Sequence, residues 1–279
     1  MENQSQDNIL TKKKDKDEHY NQYYARLISE PPPDTGKPKL WIFGDSFSDV
    51  RQHRKWNEAW DQNFKPYLEQ LAENFDILNF SCAGSGPSWS LDMFYKQALH
   101  NKKTEEIYVF FCLSSPHRCN LAMYETPEHQ IWDWSDHFKD GSKKYFKNMA
   151  RKYRFEEHAY RWFLRNFVFN GSSYIDTENL KIISTLSVYS TKFKKILAWP
   201  CFDDPKLYSI LPKNTNKFYV PDKPLRDCDY REPPGIGKDL RTNHLQPYNH
   251  NVIAEQITQH FLHGKPIDTS KFITEYTNS

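Results

Sequence analysis

The chain has 279 residues, a formal net charge of +2 and 27% charged residues. That length suits one α/β domain with insertions, and so balanced a charge gives no strong field for a polyanion or a membrane surface. No apolar run approaches the length that spans a bilayer. Five cysteines, an odd number without Cys-x-x-Cys spacing, argue against a disulfide framework or a structural zinc site and fit a reducing compartment. Aromatic residues make up 16% of the chain. This excess reads as a bulky core with tyrosine tips at the surface, the alternative being a binding surface.

Residues 1–37 form a mixed-charge arm followed by a stiff linker. Met1 to Asp17 has no apolar stretch of the kind a secretory leader needs, so the cytoplasm is the default location and association with a virion the alternative. Lys12–Lys16 is interrupted by acid and reads as solvated. His19 to Ile28 suits a short helix, which Pro31-Pro32-Pro33 stops. Lys39 to Phe43 reads as the first strand, broken at Gly44 and followed by Asp45 and Ser46. A glycine turn there presents Ser46 beyond the strand's carboxyl end, where open α/β sheets bind ligands. The plainer reading is that Asp45 or Ser46 caps the next helix.

Trp56, Trp60, Phe64, Leu68, Leu71 and Phe75 recur at helical spacing. Asp76 to Phe80 reads as the second strand, Ser81 to Ser90 as a small-residue loop and Leu91 to Leu99 as a helix. Ile107 to Leu113 is apolar throughout, as a central parallel strand should be. Lys144 to Phe169 reads as a helix with a basic outer face bearing Arg151 to Arg165, which is taken as solvated. A further helix is expected from Asp176, with Leu180, Ile183 and Leu186 inward. Lys195 to Trp199 is the next strand, Phe218-Tyr219-Val220 a short one, and Val252, Ile253, Ile257 and Phe261 mark the last helix. Strands alternating with helices predict a parallel sheet covered on both faces, an α/β/α three-layer domain.

With Phe43-Gly44-Asp45-Ser46-Phe47-Ser48, Asn79-Phe80-Ser81-Cys82-Ala83-Gly84 and Asn243-His244-Leu245 in order, the chain resembles the SGNH (GDSL-type) hydrolases over roughly residues 38–263. The resemblance implies a flavodoxin-like three-layer sandwich at 38–265, with aromatic-rich insertions near 114–175 and 201–238 and a tail at 266–279. It also implies a serine esterase that acts on an acyl ester, such as an O-acetylated carbohydrate, without a cofactor. Ser46 would be the nucleophile and His244 the base. The backbone N–H groups of Ser46 and Gly84 would hold the oxyanion.

Two positions depart from the family pattern. Ser114-Ser115-Pro116-His117-Arg118 stands where the family has Gly-x-Asn-Asp, so Ser115 or Arg118 would have to supply the side-chain oxyanion donor. Arg118 reads equally well as an ordinary salt-bridge residue. The acid three residues before His244 is replaced by Arg241, which leaves Asp239 to orient the histidine across a bulge, or a backbone carbonyl to do so. Asp45 is expected to brace its own turn rather than take part in the chemistry. His244 could instead be a packed or capping histidine, and His250 is expected at the surface. The histidines at 244, 250, 260 and 263 lack a nearby acidic ligand, and no metal site is expected. Nucleic acid is not an expected partner, since neither a motif nor a charge bias is present. The competing reading is a catalytically degenerate SGNH-like domain that serves as a structural or carbohydrate-binding module, for example in a viral particle.

Overall fold

The structure is a computed structural model, and it describes residues 34–45, 47–49, 65–82, 85–114, 172–201, 213–229 and 245–275, with the side chains of 172–179 and 247 left out. The arm helix, the helix at 144–169 and most of both insertions lie outside these residues.

Among the described residues, five strands form one all-parallel sheet: β1 (Lys39–Phe43), β2 (Asp76–Asn79), β3 (Ile107–Leu113), β4 (Lys195–Pro200) and β5 (Phe218–Tyr219). Their spatial order is β2-β1-β3-β4-β5. The chain therefore leaves β1 toward one edge and returns on its other side, so a switch point lies between β1 and β3. An α/β fold is thus present, and the strands fall where apolar runs predict them. Val220 is left out of β5, and β4 takes in Pro200 at its end.

The side-chain alternation of the strands divides the core in two. Leu40 and Ile42 of β1, Phe110 and Cys112 of β3, and Leu197 and Trp199 of β4 face one side. There they meet helices α1 (Tyr67–Leu71) and α4 (Pro247–His263) through Leu68, Leu71, Val252, Ile253, Ile257 and Phe261. Trp41, Phe43, Val109, Phe111, Ile196 and Ala198 face the other side. They meet α2 (Pro87–His100) and α3 (Ser172–Tyr189) through Trp89, Met93, Phe94, Ile182, Ile183 and Leu186. β3 is buried at all seven positions because a middle parallel strand is covered on both faces.

The aromatic excess goes into this core. Phe43 stacks on Phe80 at 5.2 Å and on Phe111 at 5.7 Å between ring centroids, and Phe94 meets it edge-on at 5.5 Å. Within the run expected to be helical up to Phe75, the described helix is α1 alone, and Trp56, Trp60 and Phe64 lie outside the described residues. α2 begins at Pro87, four residues before Leu91, because proline presets the backbone angle of a first helical residue and has no N–H to leave unbonded.

α4 ends at Gly264, whose left-handed backbone (φ 70°) lets its N–H reach the His260 carbonyl at 3.2 Å and the next N–H, of Lys265, reach that of Gln259 at 3.3 Å. Beyond it, Ile267 and Phe272 return to the core, and Phe272 sits edge-on to Trp199 at 5.9 Å. No helix among the described residues is long and apolar enough to cross a membrane.

Candidate active site

Ser46, Gly84, Ser115, Arg118, Asp239 and His244 lie outside the described residues. Described residues flank positions 46 and 83–84 and precede position 115, and these meet at the carboxyl edge of β1, β2 and β3. The residues beside Arg118 and Asp239 are not described.

The turn after β1 is built around Asp45, which is fully buried. Its Oδ1 accepts the Phe47 N–H at 3.0 Å, and its Oδ2 accepts the Ser114 hydroxyl at 2.8 Å. Its carbonyl accepts the Ser48 N–H at 3.0 Å, closing a four-residue turn. All of these contacts brace the turn, the role the sequence suggested for this carboxylate. Gly44 does not have a positive φ, and what requires glycine there is space. A Cβ there would sit 2.7 Å from the Cys112 Cβ and 2.8 Å from the Cys112 carbonyl oxygen, and would also strike the Ser48 hydroxyl. Glycine lets the turn lie against β3.

The second block is fastened to the first. The Cys82 N–H and the Ser85 hydroxyl both donate to the Gly44 carbonyl at 3.0 Å. Asn79 Nδ2 donates to the Ser48 carbonyl at 2.8 Å, and its Oδ1 accepts the Ser81 N–H at 2.9 Å. Asn79 thus ties the end of β2 to the far side of the turn, and the residues on either side of 83–84 bond to Gly44 or to each other. Ser114 adds the third block, through Asp45.

The approach to the last block is also held. The Tyr67 hydroxyl donates to the Phe47 carbonyl at 2.8 Å, and the Tyr67 backbone N–H donates to His250 Nδ1 at 3.2 Å. Two hydrogen bonds through one residue therefore join the neighbour of position 46 to the first turns of α4, six residues past position 244. His250 is buried, against the expectation of a surface position. It is buried because α1, far away in sequence, covers it, with the Tyr67 ring 5.7 Å from the imidazole. Accepting at Nδ1 places the ring proton on Nε2. Burial pushes the Tyr67 phenol well above its ordinary value, and Cys112, Cys201 and Asp45 push it further, so it remains a neutral donor.

α4 is anchored at its start by Asp229. This buried carboxylate accepts the Gln246 N–H at 2.7 Å and Asn249 Nδ2 at 2.9 Å. A carboxylate at a helix N-terminus also meets the positive end of the helix dipole. Asn249 then exchanges hydrogen bonds with the backbone of Ile273, both at 2.9 Å.

Tyr67 and Asp229 escape the sequence reading because their partners are remote and no local spacing marks them. Among the described residues, one group has metal-ligand character: Asp45, Cys112 and Cys201, whose donor atoms lie within 4.8 Å of one another. Of the histidines, His260 is buried with Nδ1 on the Lys265 carbonyl at 2.7 Å, and His263 is exposed. No protein-family model matches the chain, and no curated protein or solved structure matches it either.

Proposed function

We propose that the chain is a serine esterase of the SGNH type. The observation that carries the reading is the pair of hydrogen bonds from Phe47 through Tyr67 to His250, which draws the segment after Ser46 toward the helix that follows His244. The parallel order β2-β1-β3-β4-β5 supports it too, since it is the flavodoxin-like order, with its ligand crevice at the switch point between β1 and β3.

In this reading Ser46 Oγ attacks the acyl carbonyl while His244 takes its proton. The backbone N–H groups of Ser46 and Gly84 carry the oxyanion, with Ser115 or Arg118 in place of the family's asparagine. His244 then returns the proton to the leaving alcohol, and water repeats the sequence on the acyl-serine. Asp239 orients His244. The substrate is an acyl ester, with O-acetyl groups on a carbohydrate as the first class to test.

A fluorophosphonate tests the mechanism directly. Wild type should gain one adduct by intact mass, and Ser46→Ala should gain none. His244→Ala should lower the labelling rate by a hundredfold or more, on the order of a lost general base. Folded wild type that takes no adduct would favour the degenerate binding module, for which the substitutions at 114–118 and 241 already speak.

A further inference from the structure

The Cys112 and Cys201 sulfurs lie 3.0 Å apart, both residues fully buried, directly beneath the Gly44-Asp45 turn. They come from adjacent parallel strands. Cys112 is the penultimate residue of β3, and Cys201 follows β4 with its N–H on the Leu113 carbonyl at 2.8 Å. Both side chains lie on one face of the sheet, but Cys112 pairs with Trp199, so Cys201 stands diagonally two residues further along the direction of β4. Closing the 3.0 Å gap to a bond therefore draws the two strand ends together as well as turning the side chains.

Two chemistries could use such a pair with Asp45 alongside. A zinc ion holding both thiolates at about 2.3 Å in tetrahedral geometry would keep the sulfurs roughly 3.8 Å apart. It would also leave two thiolates and a carboxylate around one divalent cation, a net negative charge in a dry site, which is costly to desolvate. A disulfide needs the sulfurs at about 2.05 Å and is neutral. The observed spacing is closer than a metal bridge allows, and both cysteines and Asp45 are fully buried, where excess charge is costly. The loop that would be closed spans 89 positions, so a crosslink would restrict the unfolded chain strongly.

We propose that Cys112 and Cys201 form a reversible disulfide, with hydrogen peroxide as the oxidant for the folded protein. One thiol, losing its proton, attacks a peroxide oxygen. The O–O bond breaks, and the leaving hydroxide takes that proton as water, giving a sulfenic acid. The second sulfur displaces the sulfenic oxygen, which leaves as a second water with the second thiol's proton. Two thiols and one peroxide thus give one disulfide and two waters. The bond does not depend on the hydrolase reading. Its position against Gly44 means that closing it shifts the atoms on which the Ser46 turn rests.

The test is a thiol map of the full chain in two preparations: folded protein treated with hydrogen peroxide, and reduced, denatured protein refolded in a glutathione redox buffer. The second preparation lets both sulfurs meet the oxidant before burial. After alkylation under denaturing conditions, a non-reduced digest should contain one linked pair of peptides, Cys112 with Cys201. The intact mass should be lower by two hydrogens, and the melting temperature higher than that of the reduced form. Cys112→Ser and Cys201→Ser should each lose the linked peptide and the rise in melting temperature. Alkylation of both cysteines in both preparations, or linkage to Cys82, Cys119 or Cys228 instead, overturns the proposal. Stoichiometric zinc retained through dialysis and released by Cys112→Ser overturns it in favour of the metal site.

Discussion

Gly44 shows how much one missing methyl group decides. The turn that leads to Ser46 lies against the central strand, and the nearest fixed atoms to a new Cβ are the Cβ and carbonyl oxygen of Cys112, at 2.7 and 2.8 Å. The Ser48 hydroxyl could rotate away. The backbone of β3 cannot, because β1 and β4 pair with it along its length. Gly44→Ala should therefore destabilise the fold by about 1–3 kcal/mol, the ordinary cost of overpacking a core, read as a lower urea midpoint. In protein that still folds, it should also slow fluorophosphonate labelling, since the turn must move outward to admit the methyl group. An unchanged midpoint would mean that the turn does not rest on β3.

At the level of elements, the link that matters is between α4 and the chain on either side of it. Asn249 is its hub, bonded to the Cys228 carbonyl, the Asp229 carboxylate and both backbone groups of Ile273. Asn249→Ala removes these bonds and takes the Asn249 acceptor from the Ile273 N–H, while Gln246 still donates to Asp229 and to the Ile273 carbonyl. It should cost about 2 kcal/mol and loosen the segment that carries Phe272 into the core. Tryptic cleavage after the exposed Lys271 should accelerate relative to wild type. Equal cleavage rates would show that Ile267 and Phe272 hold that segment without Asn249.

The same elements show what a sequence can and cannot announce. β1, β3 and β4 could be read directly because a strand buried on both faces is an apolar run, whatever covers it. Among the described helices, α3 and α4 could be read from their periodicity, while the described part of the Trp56–Phe75 stripe, residues 65–75, is helical only over the five residues of α1. The local brace at Asp45 could be read, but the long-range supports could not, because each is a polar group whose partner is distant: Ser114 lies 69 residues from Asp45, and Tyr67 lies 183 from His250. A histidine in an amphipathic helix looks exposed until another element arrives to cover it.

At the scale of the whole molecule, two buried ionisable groups on the α1–α4 side of the sheet, His260 and Cys228, make stability depend on pH. Burial, and then the Lys195 cation, push His260 from its ordinary 6.5 down to about 4, against a smaller upward pull from the Lys265 carbonyl. Below 6.5 the unfolded chain protonates this imidazole while the folded chain does not, so the unfolded state binds more protons and stability falls with pH until about 4, a loss of about 3 kcal/mol. On the alkaline side burial pushes the Cys228 thiol from 9.0 up to about 12. Above 9 the unfolded thiol ionises first, so stability falls again as pH rises. Between these limits, from about 6.5 to 9, neither group contributes a slope. His260→Phe keeps a ring against Tyr219, now 4.7 Å from the imidazole, but removes the titration. It should cost about 1 kcal/mol at pH 7.5 through the lost bond to Lys265. Between pH 6.5 and 4 its urea-derived stability should then decline less than that of wild type, by most of the 3 kcal/mol. Parallel curves for the two proteins would assign the acid limb to groups other than His260.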